Sequence, residues 1–318
     1  MPTAFITDPL FKQHDPGWQH PESPARIDAV VQALHQTGLR DLMLGLTPRI
    51  ATEAQLAWCH DPAYIEQVRH EIQSGVSVIS TGDTQVSYRS FEVAQYATGA
   101  VFRAVDAVCG GEARNAFCAI RPPGHHATAR RGMGFCLFNH VALGARYAQH
   151  THGLKRILII DWDVHHGNGT QDLFYEDAQV FYCSTHQAPL YPFTGEEHET
   201  GAGEGLGTTL NIALPAGTDG ATLIEALRHR LEPRLADFKP ELILLSAGFD
   251  ILAQDPIGQF RVTTDDIAPL TDMVMQWAAT YCGQRLVSVL EGGYHLAALG
   301  EAATVHAHQL LHGQRDSG

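Results

Sequence analysis

Eight short apolar runs rich in β-branched residues recur along the chain, at 3–7, 47–51, 115–120, 156–161, 179–184, 208–214, 241–246 and 286–290. Longer stretches with helical spacing lie between them, at 23–37, 62–73, 90–109, 138–151, 220–236, 265–280 and 295–312. A run such as Ile157-Leu-Ile-Ile160 is apolar at every position, the pattern of a strand buried on both faces. Strands that alternate with helices predict an α/β protein with one parallel sheet and crossover helices on both faces. Pro24 and Pro62 suit helix starts and Ser90 suits an N-cap. Neither a low-complexity linker nor an internal repeat divides the pattern, so residues 1–318 are expected to form a single domain.

Composition narrows the function. Apolar residues make up 44% of the chain, enough for an ordinary globular core. The net charge of −14 argues against a broad phosphate-binding surface, so no direct nucleic-acid partner is expected. The same acidic balance suits a cationic amine substrate. Six cysteines are scattered without CxxC spacing, mostly inside apolar runs, as expected of reduced core residues. A secretory signal is not visible, and no apolar run approaches the ~18 residues of a membrane span. A cytoplasmic setting without membrane attachment is therefore expected.

The unusual polar residues fall where the predicted strands end: Arg121-Pro-Pro-Gly-His-His126, Asp161-Trp-Asp-Val-His-His166, Ser184-Thr-His186, Gly248-Phe-Asp250 and Glu291-Gly-Gly-Tyr294. Parallel sheets bind ligands beyond the carboxyl ends of their strands, so these five segments share one address. Asp161, Asp163 and His165 alternate and would project to one side of an extended backbone. Alone, such a pair of aspartates would cap a turn. With His165 and with Asp250 on another strand end, Asp163 becomes a candidate ligand of a catalytic zinc ion that retains an open position. Amide hydrolysis also needs a base for water and an acid for the leaving amine, roles suited to histidine. His125 and His126 would need different partners to differ in pKa: a carboxylate such as Asp161 for the first, and a neutral group such as Asn168 for the second. Gly292-Gly293 permits close backbone approach and leaves the Tyr294 hydroxyl able to polarise a carbonyl. Gly134-Phe135-Cys136 and Leu190-Tyr191-Pro192 could supply aromatic walls around an alkyl chain, although either aromatic alone would suit a core.

In their order and spacing these segments resemble the histone deacetylase family, including bacterial histone-deacetylase-like and acetylpolyamine amidohydrolases. The resemblance runs from His20-Pro-Glu-Ser-Pro-Ala-Arg26 through Arg121–His126, Gly134-Phe-Cys-Leu-Phe-Asn139, Asp161–Gln171 and Ser246-Ala-Gly-Phe-Asp250 to Leu290-Glu-Gly-Gly-Tyr294, about residues 20–312. Asn168 and the Leu-Glu-Gly-Gly-Tyr segment look like the class II branch. The resemblance implies the arginase/deacetylase fold, with an eight-stranded parallel sheet and zinc on Asp163, His165 and Asp250. It implies His126 as general base and then acid, His125 as electrostatic partner oriented by Asp161, and Tyr294 as carbonyl donor. Phe135 and Tyr191 match the tunnel walls, with Gly134 and Gly293 close to the substrate and Asp83 in the loop that holds the substrate backbone in relatives. Ser184 and backbone carbonyls near Asp161, Asp163 and His165 match a structural potassium site.

The expected substrate is an acylated lysine in a peptide or protein, or an acylated small amine. Polyamine-selective eukaryotic relatives carry a glutamate where Asp255-Pro-Ile-Gly258 presents Ile257. An apolar gatekeeper offers no counter-charge to a distal ammonium, so acyl-lysine is preferred over acetylpolyamine. A non-catalytic acyl-lysine reader would need a degraded site, and a two-manganese arginase-like hydrolase would need a second set of bridging carboxylates. The ligand set also suits Fe(II) or Co(II). Nothing in the pattern sets an oligomeric state.

Overall fold

The structure, a computed structural model, describes residues 1–313. Residues 314–318, the end of the expected single-domain span, lie outside the described residues. Eight strands form one sheet: β1 (Thr3–Ile6), β2 (Leu44–Leu46), β3 (Asn115–Cys118), β4 (Ile157–Asp161), β5 (Val180–Gln187), β6 (Thr209–Leu214), β7 (Leu242–Ala247) and β8 (Leu286–Leu290). Their order is β2-β1-β3-β8-β7-β4-β5-β6, and every pairing is parallel. This is the α/β arginase/deacetylase architecture expected. All residues of β1, β3, β4, β5, β7 and β8 are buried, which requires cover on both faces and explains their mostly apolar sequences.

The order brings β3, β8, β7 and β4 together at the centre. Residues 85 and 43 positions apart thereby acquire neighbouring carboxyl ends: Ile160 is level with Leu245, and Ser246 with Val289. The long helix Ser90–Cys109 packs on β1, β3 and β8, and the helix His140–His152 on β7.

Three local expectations require correction. The second strand is Leu44–Leu46 rather than 47–51, because Pro48 has no N–H to give a ladder and the chain leaves the sheet before it. Ser90 is not an N-cap: Arg89 occupies that position, while the Ser90 hydroxyl accepts the Ser87 N–H at 2.8 Å and meets His14 Nδ1 at 2.7 Å. Ser184-Thr-His186 lies within β5, which continues to Gln187, rather than beyond it. Pro62 does open its helix, with Asp61 as cap, and Pro24 stands at the cap of Ala25–Gln36. No helix among the described residues is long and apolar enough to cross a membrane.

Candidate active site

Asp161 is the last residue of β4, and its Oδ1 accepts the Asp163 N–H at 3.1 Å, turning the chain so that Asp163 and His165 face inward. Asp250 arrives from the loop after β7, the strand paired with β4. All three are buried, and one ligand atom from each lies within 4.8 Å of the others. His165 Nδ1 is 3.0 Å from Asp163 Oδ1 and 3.1 Å from Asp250 Oδ2. The remaining carboxylate oxygens are held by backbone: Asp163 Oδ2 accepts Gly292 N–H at 2.8 Å, and Asp250 Oδ1 accepts Val164 N–H at 3.0 Å. A Cβ at Gly292 would collide with both carboxylates, which is why the chain passes here as glycine.

The electrostatics of this cluster favour a cation. Burial opposes charge on His165, yet its bonds to Asp163 and Asp250 raise the pKa to about 10. Burial, and then Asp163, pushes Asp250 up to about 7. Two buried carboxylates and an imidazole thus converge where positive charge is stabilised. The oxygen and nitrogen donors fit a divalent metal ion.

The tandem histidines sit beside this cluster with rings 4.0 Å apart. His125 Nδ1 meets Asp161 Oδ2 at 2.9 Å, whereas His126 Nδ1 meets Asn168 Oδ1 at 2.8 Å. Near-equal geometry with unlike partners separates their acidities. Burial lowers the pKa of His125, but Asp161 and then Asp163 raise it well above the ordinary value. Burial, His125 and His165 hold His126 well below it. Of two adjacent imidazoles, one is kept cationic and one neutral.

His126, His165 and Tyr294 line a cavity of about 280 Å³ together with Phe135, Tyr191, Leu190, Ile257, Gly134 and Asp83. Its walls are mostly aromatic and aliphatic, with His126 and His165 on one part of the lining and exposed Asp83 on another. Gly293 was expected against the substrate but is not among the residues lining this cavity. Its φ of +117° leaves its carbonyl accepting Arg26 Nε–H at 2.7 Å. Ser184 is level with Asp161 across β4 and β5, and its hydroxyl pairs with His186 Nδ1 at 2.9 Å.

Residues 20–310 match the family model described as histone deacetylase domain. The chain belongs to the histone deacetylase family. It is 40% identical over 308 residues to histone deacetylase 14, chloroplastic, of Arabidopsis thaliana, covering 92% of this chain and 73% of that one. It is 39% identical over 309 residues to polyamine deacetylase HDAC10 of Homo sapiens, covering 92% of this chain but 46% of that longer protein. Among solved structures, the HDA15 HD domain superposes with a TM-score of 0.91 at 34% identity, covering 98% of this chain and 88% of that one. The activity of this family member is accordingly that of a deacetylase, a hydrolase of amide bonds.

Several supporting groups escaped the sequence reading. Glu291 Oε2 accepts the N–H groups of Gly124 and His125 at 2.7 and 3.2 Å, and Oε1 accepts the Ser246 hydroxyl at 2.9 Å. One carboxylate thus joins the ends of β3, β7 and β8. Tyr182 donates to Asp161 Oδ2 at 3.2 Å from the middle of β5. Asp255 accepts Tyr294 N–H at 2.7 Å and Ile257 N–H at 3.0 Å, tying the Ile257 loop to the tyrosine. Behind Tyr294, buried Arg26 donates to the carbonyls of Gly293 and Glu291 and lies 4.9 Å from the Tyr294 ring. Glu22 joins Arg26 to Arg121, which with His14 holds the Glu22 carboxyl well below the usual range despite burial. For Glu22, Arg26, Asp255 and Glu291 the visible signal was a charged residue within a motif; Tyr182 carried none. Their partners were not readable.

Proposed function

We propose that residues 1–318 form one zinc-dependent deacylase domain that hydrolyses the amide of acetyl-lysine-like acylated amines. The observation that carries this reading is the buried Asp163–His165–Asp250 cluster beside two histidines of opposed acidity, on one apolar cavity. Asp163, His165 and Asp250 would hold the ion. Bound there, zinc supplies Lewis acidity toward a carbonyl oxygen and lowers the pKa of water to about 7.

The protein's own residues account for the proton traffic. Neutral His126 accepts a proton from the attacking water at Nε2, its Nδ1 being engaged by Asn168. Having become cationic, it donates that proton to the departing amine. His125 remains charged against Asp161 and offers electrostatic support to the developing oxyanion. Tyr294, whose pKa burial and the nearby carboxylates push well above the ordinary value, stays protonated and donates to the carbonyl oxygen. Phe135 and Tyr191 flank the alkyl stem and exclude water. Ser184 and nearby backbone carbonyls are proposed to hold a structural potassium ion. Asn168 and the Glu291-Gly-Gly-Tyr294 turn fit the class II branch. Six free cysteines, five of them buried, suit a reducing compartment such as the cytoplasm.

Acetylpolyamine hydrolysis is the second reading, favoured by likeness to a polyamine deacetylase. Ile257 on the cavity wall weighs against it, since it gives a distal ammonium no partner. The experiment is acetate release from a fluorogenic acetyl-lysine peptide, with a trifluoroacetyl-lysine peptide and N8-acetylspermidine run alongside. Peptide turnover abolished by chelation and restored by zinc is expected. His126→Ala should abolish that turnover while retaining zinc. Turnover of acetylspermidine alone would overturn the acyl-lysine preference, and silence on all three with zinc bound would overturn the deacylase reading.

A further inference from the structure

One hydrogen-bonded bridge spans the two aromatic sides of the cavity. Asp83, in the loop between the helices Pro62–Gln73 and Ser90–Cys109, accepts the Gly134 N–H at 2.7 Å through Oδ1 and the Tyr191 hydroxyl at 3.1 Å through Oδ2. Gly134 immediately precedes Phe135, so a single carboxylate connects one aromatic wall to the other. Each wall also touches the reacting groups: Tyr191 meets the His126 ring edge-on at 5.3 Å, and Phe135 meets the Tyr294 ring at 5.8 Å.

The Phe135 wall depends on external support. Gly134 and Phe135 have φ of +55° and +68°, and a left-handed conformation is uncommon for a side chain such as Phe135. Such backbone persists when its surroundings over-determine it. The Asp83 bond to Gly134 N–H is part of that determination, and Asp83 is itself exposed. An exposed aspartate with one protein donor can rotate away. A second donor on its other oxygen fixes the carboxylate plane.

We propose that Tyr191 is a positioning residue for substrate specificity. Its hydroxyl fixes Asp83, and through Asp83 sets both the separation of the Tyr191 and Phe135 walls and the direction of the rim carboxylate. This inference rests on the deacylase reading for its catalytic consequence but not for its structural one. Phenylalanine at this position keeps the ring packing and removes only the bridge. Neither Tyr191 nor Asp83 takes a proton in the reaction, so the loss falls on substrate holding.

The test combines kinetics with amide exchange. Tyr191→Phe is expected to raise KM for the acetyl-lysine peptide about three- to tenfold, the span of one hydrogen bond, while kcat changes by less than about twofold. The double variant Tyr191→Phe/Asp83→Ala should match Asp83→Ala within about twofold, because the bridge can be lost only once. Asp83→Asn supplies a further control: its amide retains an acceptor for Gly134 N–H and a donor toward the Tyr191 oxygen, so Tyr191→Phe should still cause a measurable loss in that background. Exchange of the Gly134 amide, followed by NMR without substrate, should quicken in both Asp83→Ala and Tyr191→Phe. An unchanged KM, multiplicative losses in the double variant, or Gly134 exchange unaltered by Tyr191→Phe would overturn the proposal. If the wild-type protein hydrolyses none of the acylated amines, the deacylase reading fails, while Gly134 exchange still decides whether Tyr191 positions Asp83.

Discussion

Replacing Asn168 by Asp would give His126 the partner type that His125 already has. The two histidines provide an internal comparison: both are buried, and their Nδ1 contacts measure 2.9 Å to Asp161 and 2.8 Å to Asn168. The carboxylate side is held well above the ordinary histidine pKa and the amide side well below. An opposite charge at this range shifts a pKa by about 1–3 units, each worth about 1.36 kcal/mol. Asn168→Asp should therefore raise the His126 pKa by that amount. A raised pKa keeps the base protonated to higher pH, so the acid limb of kcat/KM moves upward by about 1–3 units. Below both limbs the variant should be about 10- to 1000-fold slower than the wild type, and the gap should close as pH rises above the displaced limb. The assay is kcat/KM for the acetyl-lysine peptide from pH 5.5 to 9, with metal content and thermal midpoint measured on both proteins. An acid limb that stays in place, or a uniform loss at every pH, would refute the pairing of Asn168 with a neutral catalytic His126.

Two further outcomes follow from the same physics. Tyr294→Phe removes one donor to the carbonyl oxygen and should lower kcat about 10²–10³-fold with zinc retained, measured by steady-state kinetics and metal analysis. His306 is buried between the hydroxyls of Thr271 and Ser288, each at 2.8 Å, and burial lowers its pKa to about 3. The unfolded chain binds a proton near pH 6.5 and the folded one does not, so stability falls as pH drops through that window. Between pH 7 and 5 this single residue contributes a loss of about 2 kcal/mol. In urea titrations at the two pH values, His306→Gln should lose about 2 kcal/mol less than the wild type over that interval; equal losses would sink the idea.

Much of the site was legible because its chemistry is carried by short motifs. Asp161, Asp163 and His165 obey the two-residue alternation of extended chain, and His125-His126 is contiguous, so their grouping needed no distant information. The second strand and the cap at Ser90 were misread for different reasons. Pro48, with no N–H for a ladder, stood inside the expected strand and counted against it, whereas local pattern cannot see that the Ser90 hydroxyl is directed to Ser87 and His14. Glu291, Asp255 and Arg26 stood in plain view within the quoted motifs. Their roles depend on which backbone groups face them across 39 to 267 residues of chain.

By itself, the sequence determined the class of fold, the residue types at each strand end and the family. Apolar periodicity dictates which segments bury, and a catalytic set requires particular side-chain chemistry. The sequence also suggested the partners Asp161, Asn168 and Asp250; tertiary structure set their distances, placed β7 beside β4, and linked Gly134 to Tyr191 through Asp83. The physical reason is that acidity, metal affinity and wall spacing depend on distances of about 3 Å between groups far apart in the chain, and parallel pairing sets those distances only when the sheet assembles.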